Sequence, residues 1–173
     1  MKQLTGKSLK DFLKQGERHD KDLVFVLQDV TDPVNVGAAF RIADACGVRE
    51  LVLTGLSPAP PNATIAGIGR GTHRHVKWRY VKQAIDILAE LKAQGYTSCA
   101  VEVTGESLPY FRATYPEKLC LLVGNEHHGV ARRTLSGCDL SVYVPMYGKI
   151  RSLNVHVALA IVAFHVLHGQ QGR

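Results

Sequence analysis

The chain has 173 residues, 46% hydrophobic and 21% charged, a balance that suits one domain with its own core and excludes a disordered or fibrous chain. Its formal net charge of +6 and pI of about 9.3 point toward a polyanionic partner such as nucleic acid. Four cysteines, Cys46, Cys99, Cys120 and Cys138, stand far apart with no CxxC pair, which reads as buried thiols in a reducing compartment and offers no zinc-ligand spacing. Residues 1–22 are charged throughout and hold no apolar stretch of the kind a secretory signal needs. They read as a short N-terminal lead with Leu9, Phe12 and Leu13 as a small apolar face, and residues 23–173 as a single domain. Leu23–Val30 (LVFVLQDV) follows as a strand, Val36–Cys46 as a short helix closed by Gly47, and Glu50–Gly55 as a second strand. Lys82–Gln94 is an amphipathic helix with Ile85, Leu88 and Leu91 at helical spacing and Gly95 after it. Ser98–Val103, Leu119–Val123 and Leu140–Pro145 read as strands, and a last helix starts near Ser152. Its apolar run, Leu153–Leu167, carries His156 and His165 and is too short to span a bilayer. The expected protein is cytoplasmic, with no membrane partner.

Strands alternating with helices imply a mostly parallel sheet with helices on both faces, and apolar runs such as LCLLVG fit strands covered on both sides. Ligands in such sheets sit beyond the carboxyl ends of the strands. Three loops lie there. In "DVTDPVNVGAAFRIADACGV", Pro33 and Gly37 suggest a tight turn, Asn35 a helix cap, and Arg41 a cation flanked by Phe40 and Ile42 on a helix that should be largely buried. A charge in such a place has an anion to meet. In "LLVGNEHHGV", Gly124 and Gly129 suggest close backbone approach, and Glu126 suits Arg41 or backbone N–H groups as a partner. Adjacent His127 and His128 point different ways, so no metal site is expected. In "VPMYGKIRSLNVHVALA", Ser152 reads as the N-cap, with Asn154 facing the same mouth.

No GxGxxG or GKS/GKT phosphate signature is present, and "GIGRG" at 67–71 has the wrong spacing and context. Residues 51–85 contain no Asp or Glu. Within them Arg70, Arg74, Lys77, Arg79 and Lys82 alternate with His73, His75, Trp78 and Tyr80, a pattern of phosphate-pairing cations and base-stacking aromatics. An RNA contact through Arg70, His73, Arg74 and Lys77 is expected, the plainer alternative being the solvated basic edge of a strand.

The three loops in this order resemble the motifs of the SPOUT-class RNA 2′-O-ribose methyltransferases, the TrmH-like (SpoU) branch, over roughly residues 23–169. The resemblance implies a C-terminal deep trefoil knot that holds S-adenosylmethionine. By motif matching it implies cofactor contacts at Glu102, Gly124, Val144, Met146, Ser152 and Leu153, and functional polar residues at Asn35, Arg41, Glu126, Ser152 and Asn154. It also implies a homodimer packed through the knot region, with the helix Leu153–Leu167 in the interface and both subunits framing each site. Methyl transfer to a ribose hydroxyl needs alignment and removal of one proton. Arginine is not deprotonated in proteins, so Arg41 is expected to clamp a phosphate and stabilise charge on the 2′-oxygen, with Asn35 orienting Arg41 and the ribose. The substrate class expected is tRNA, with rRNA as the alternative. A catalytically inactive RNA-binding protein and a base methyltransferase are the rival readings.

Overall fold

The computed structural model describes residues 3–15 and 19–169. A nine-residue helix, α1 (Gly6–Lys14), precedes the first strand, and its Leu9, Phe12 and Leu13 are exposed. The body follows as β1 (Asp22–Gln28), α2 (Pro33–Ala45), β2 (Glu50–Thr54), α3 (Ala63–Ile68), a 3₁₀ turn (Thr72–Arg74), β3 (Trp78–Val81), α4 (Ala84–Ala93) and β4 (Thr97–Val101). Then come β5 (Leu108–Pro109), a second 3₁₀ turn (Tyr110–Arg112), β6 (Lys118–Val123), α5 (Arg132–Leu135), β7 (Leu140–Tyr143) and α6 (Val155–His168).

All the pairings are parallel, in the order β3-β2-β1-β6-β4-β7-β5. The alternation along β1 explains the layering. Leu23, Phe25 and Leu27 face one side and pack with Phe40 of α2 and Leu159, Val162 and Val166 of α6. Val24 and Val26 face the other and pack with Ile87, Leu88 and Leu91 of α4. Both faces are covered, as a continuous apolar strand requires.

The structure moves several expected boundaries. Asp32, not Asn35, caps α2: its side chain accepts from Val34 N at 2.8 Å, and Pro33 sits in the first turn, where its missing N–H costs nothing. Asn35 is buried inside the helix, as is Gly37, which lies in no turn. A Cβ on Gly37 would stand 2.9 Å from Ile68 Cβ, so the glycine is there to let α3 approach. Likewise α6 begins after Ser152, and Asn154 is its N-cap. Three short elements, α3, β3 and α5, run for only six, four and four residues, too short to stand out as periodic segments.

Candidate active site

Beyond the carboxyl ends of β4, β6 and β7 opens a cavity of about 320 Å³. The six positions Glu102, Gly124, Val144, Met146, Ser152 and Leu153 all line it, with Glu126 and Asn154. The loop after β6 is closed on itself. Asn125 and Gly129 exchange both backbone hydrogen bonds, at 3.0 and 2.9 Å, and Asn125 Oδ1 accepts from His127 N and His128 N. A Cβ on Gly124 would fall on the Gly129 carbonyl and Val130 N. Glycine is therefore required by the loop's own backbone, before any ligand is considered. Glu102 ties β4 to this loop, its two oxygens accepting from Val103 N and Val130 N, each at 2.9 Å.

Glu126 joins this loop to the first. It accepts from Thr31 N at 3.1 Å, Thr31 Oγ1 at 3.2 Å, Asp32 N at 3.1 Å and Asn35 Nδ2 at 2.8 Å. Burial alone would raise its pKa, but the hydrogen bonds donated by Asn35 and by backbone N–H groups outweigh it and hold the carboxyl below its ordinary value. Asn35 Oδ1 in turn meets His156 Nδ1 of α6 at 2.9 Å. Asn35 thus has both ends of its amide occupied and makes no hydrogen bond to Arg41 among the described residues. His156 was not expected here, and nothing in the sequence around it marks it. Partial burial lowers its pKa, opposed by the Asp32 carboxylate. Asp32, the helix cap, had a signal that could have found it: Asp-Pro before an apolar run.

Arg41 departs from expectation. It is exposed, not buried, makes no hydrogen bond or ion pair among the described residues, and does not line the cavity. It needs no anion within the chain, and Glu126 does not provide one. Ser152 and Asn154 are exposed at the cavity rim, where Asn154 Oδ1 accepts from His156 N at 3.4 Å. His127 and His128 are exposed, and no group of three or more His, Cys, Asp or Glu among the described residues is arranged to hold a metal ion.

The basic stretch is sorted by its neighbours. Arg79 is gripped by Glu90 at 3.0 and 2.6 Å and by Glu50 at 3.2 Å, and Lys77 lies 4.0 Å from Glu50. His75 meets Asp44 at 2.9 Å. Acid absent from the stretch is therefore supplied from outside it. His73 and Trp78 are half-buried and pack against Phe40 at T-shaped angles, with centroids 6.3 and 6.1 Å away. Arg70 and Arg74 are exposed and have no acidic partner among the described residues.

A doubly covered parallel sheet with a small-molecule-sized cavity at its strand ends defines an α/β ligand-binding domain of the kind that works at a change of strand order. The model of the SpoU rRNA Methylase family matches residues 22–164. The chain belongs to that family. It is 37% identical over 149 residues to the 23S rRNA (guanosine(2553)-2′-O)-methyltransferase RlmP of Bacillus subtilis, across 83% of this chain and 57% of the relative. A structure described as giving insights into "the 2-OH methylation of C/U34 on tRNA" superposes with a TM-score of 0.76 at 28% identity, covering 89% of this chain and 99% of the other. The SpoU methyltransferase AviRb of Streptomyces viridochromogenes, in complex with AdoMet, shares the fold with a TM-score of 0.79 at 22% identity, covering 91% and 61%. The chain spans 56 to 66% of the length of the first curated relatives it matches. Among the described residues no helix is long and apolar enough to cross a membrane.

Proposed function

We propose that the protein is an S-adenosylmethionine-dependent RNA methyltransferase that methylates a ribose 2′-hydroxyl, in tRNA. The observation that carries this is the convergence of Glu102, Gly124, Val144, Met146, Ser152 and Leu153, drawn from three separate stretches, on one cavity. The lining fits the cofactor: apolar Val144, Met146 and Leu153 suit the ring and thioether-like parts, and polar Glu102 and Ser152 suit hydroxyl and ammonium groups. When bound, the cofactor supplies an activated methyl group. Glu126 and Asn35 hold the first loop against the second, which fixes the floor on which a nucleotide would lie. Arg41 is the catalytic residue in this reading: it grips the phosphate beside the reacting ribose in two-pronged fashion and stabilises negative charge gathering on the 2′-oxygen, while a phosphate oxygen or water takes the hydroxyl proton. Ser152 and Asn154 hold the third loop at the rim.

An exposed Arg41 outside its own chain's cavity fits a homodimer in which both copies frame each site. The apolar outer side of α6 with its lead-in, where Leu153, Val157 and Phe164 are 37 to 41% exposed, supports that contact. A C-terminal deep trefoil knot is proposed: β6 lies between β1 and β4, and Val144, Met146, Arg151, Ser152, Leu153 and Asn154 line the same cavity as the loop that follows β6. Arg70 and Arg74 are proposed to meet RNA phosphates, with Lys77 beside them and His73 shaping the surface from beneath. The fit to nearly the whole of a compact chain tied to tRNA methylation favours tRNA and, with it, a cytoplasmic site of action. The similarity to an rRNA methyltransferase at 37% identity supports rRNA as the second reading.

Calorimetric titration with S-adenosylmethionine after chelator treatment, followed by methyl transfer to purified tRNA and rRNA, tests the proposal. Metal-independent binding and a 2′-O-methylated nucleoside from tRNA are expected. Strict dependence on a metal, or transfer to a base, would overturn it.

A further inference from the structure

Glu126, Asn35 and His156 come from three stretches separated by 91 and 121 positions, and they form one hydrogen-bonded line. The identity of each atom in that line follows from the first. An ionised carboxylate only accepts, so the Asn35 atom 2.8 Å from Glu126 Oε1 is the amide nitrogen. The opposite end of the amide is therefore oxygen, which also only accepts. The ring nitrogen 2.9 Å from it must carry a proton. In the neutral ring that leaves the lone pair on Nε2, which has no hydrogen-bond partner among the described residues.

We infer that His156 is a positioning residue for the proposed methyl transfer, acting through Asn35 and Glu126 as a fixed Nδ1–H donor that locks the first loop onto the second. This rests on the methyltransferase reading of the same site. The physical basis is the asymmetry of the Asn35 amide. With His156 donating to Oδ1, only one orientation of the amide satisfies both neighbours. Without it, Oδ1 has no partner and the amide is held at its Glu126 end alone, free to swing about that contact. The shortest hydrogen bond to Glu126 is then less firmly directed, and the Glu126 hold on Thr31 N and Asp32 N loosens with it. These two residues cap and lead α2, the helix that carries Arg41. A loosened α2 start moves the phosphate-gripping group relative to the cavity, and a misplacement of about 1 Å can cost up to about 10²-fold in rate. The cofactor side of the cavity, built on Gly124, Val144 and Met146, lies outside this line.

Two measurements test the inference. The imidazole ¹⁵N shifts of the wild-type protein at mildly alkaline pH should report His156 as the Nδ1–H tautomer, and the Nε2–H form would overturn the relay. In steady-state assays His156→Ala should lower kcat by about tenfold or more, with the dissociation constant for S-adenosylmethionine within twofold of wild type. His156→Asn, which keeps an N–H donor near the Nδ1 position, should recover most of the lost kcat. Wild-type kcat in His156→Ala, or no recovery in His156→Asn even when that variant folds, would overturn the positioning role. Failure of His156→Asn to fold would overturn it in favour of packing. If the wild-type protein transfers no methyl group to any RNA, the proposed function falls, while the tautomer measurement still decides the relay.

Discussion

Beside the cavity, Glu126, Asn35 and His156 are tied in one hydrogen-bonded line, and Asn125 Oδ1 and the Glu102 carboxylate accept from backbone N–H groups. Along residues 70–82 the pattern is different. Arg79 and Lys77 are turned to Glu50 and Glu90, while Arg70 and Arg74 stand exposed with no acidic partner among the described residues. The rim uses its polar groups to hold three loops in one arrangement, as a preorganised site must. The basic surface keeps Arg70, Arg74 and Lys82 available for a partner that arrives from solution. Arg41 belongs with the second group, although its motif adjoins the first: it is exposed and unengaged in the described chain.

The largest effect expected from this contrast is on Arg41. Arg41→Ala removes no internal partner, so folding and cofactor binding should be unchanged. The rate of methyl transfer should fall by about 10²–10³, the usual cost of one lost donor at a developing oxyanion. Arg41→Lys should recover little, because an ammonium cannot reproduce the two-pronged grip. A variant that unfolds would move Arg41 to the structural group, and one that methylates normally would remove it from the site.

The rim should answer to crowding instead. In Gly124→Val the new side chain meets the Gly129 and Val130 backbone, which has no flexible side chain to give way. Overpacking of this kind costs about 1–3 kcal/mol, so the melting temperature should drop and the cofactor affinity with it. Wild-type stability would show that the loop has room to open.

Charge reversal of Arg70 and Arg74 together should weaken RNA binding and reduce the slope of log affinity against log salt by about 0.7–0.9 for each phosphate that is no longer neutralised. Arg79→Ala should leave that slope alone and lower thermal stability slightly, because its guanidinium is already held by Glu50 and Glu90. Equal slopes for both variants would erase the sorting of the basic stretch.

The smallest effect is on acid stability. The Glu126 carboxyl titrates below its ordinary value, so its stabilising contribution is complete above the ordinary carboxylate range and is lost as pH falls through the lowered pKa. His156 is also lowered from 6.5, so the unfolded chain takes up its proton first and stability starts to fall as pH drops below that value. In His156→Asn the decline in melting temperature just below pH 6.5 should shrink to the share of His165, which burial also lowers, and the carboxyl decline of Glu126, Glu90 and Asp139 at lower pH should remain. An unchanged profile would remove His156 from the acid response.

The parallel sheet was legible because β1, β2 and β6 are apolar on both faces, and the cavity was legible because two of the three loop motifs, those after β6 and β7, line it. β3 was legible only as the plainer alternative, a basic strand edge, because Trp-Arg-Tyr-Val is a short edge strand that owes its place to β2. The apolar neighbours Phe40 and Ile42 suggest a buried Arg41, but helical geometry turns adjacent residues about 100° apart, and Phe40 goes inward while Arg41 goes out. The Glu126–Asn35–His156 line could not be read from sequence: its members are far apart, and only the folded sheet brings them to one point.

Methyl transfer from radiolabelled S-adenosylmethionine to unmodified tRNA, followed by digestion to nucleosides, bears on the proposed reaction itself. Label is expected in a single 2′-O-methylated nucleoside, and it should be lost in Arg41→Ala while that variant still binds the cofactor. Label in a methylated base, or no label on tRNA or rRNA from a protein that binds S-adenosylmethionine in its cavity, would contradict a ribose methyltransferase.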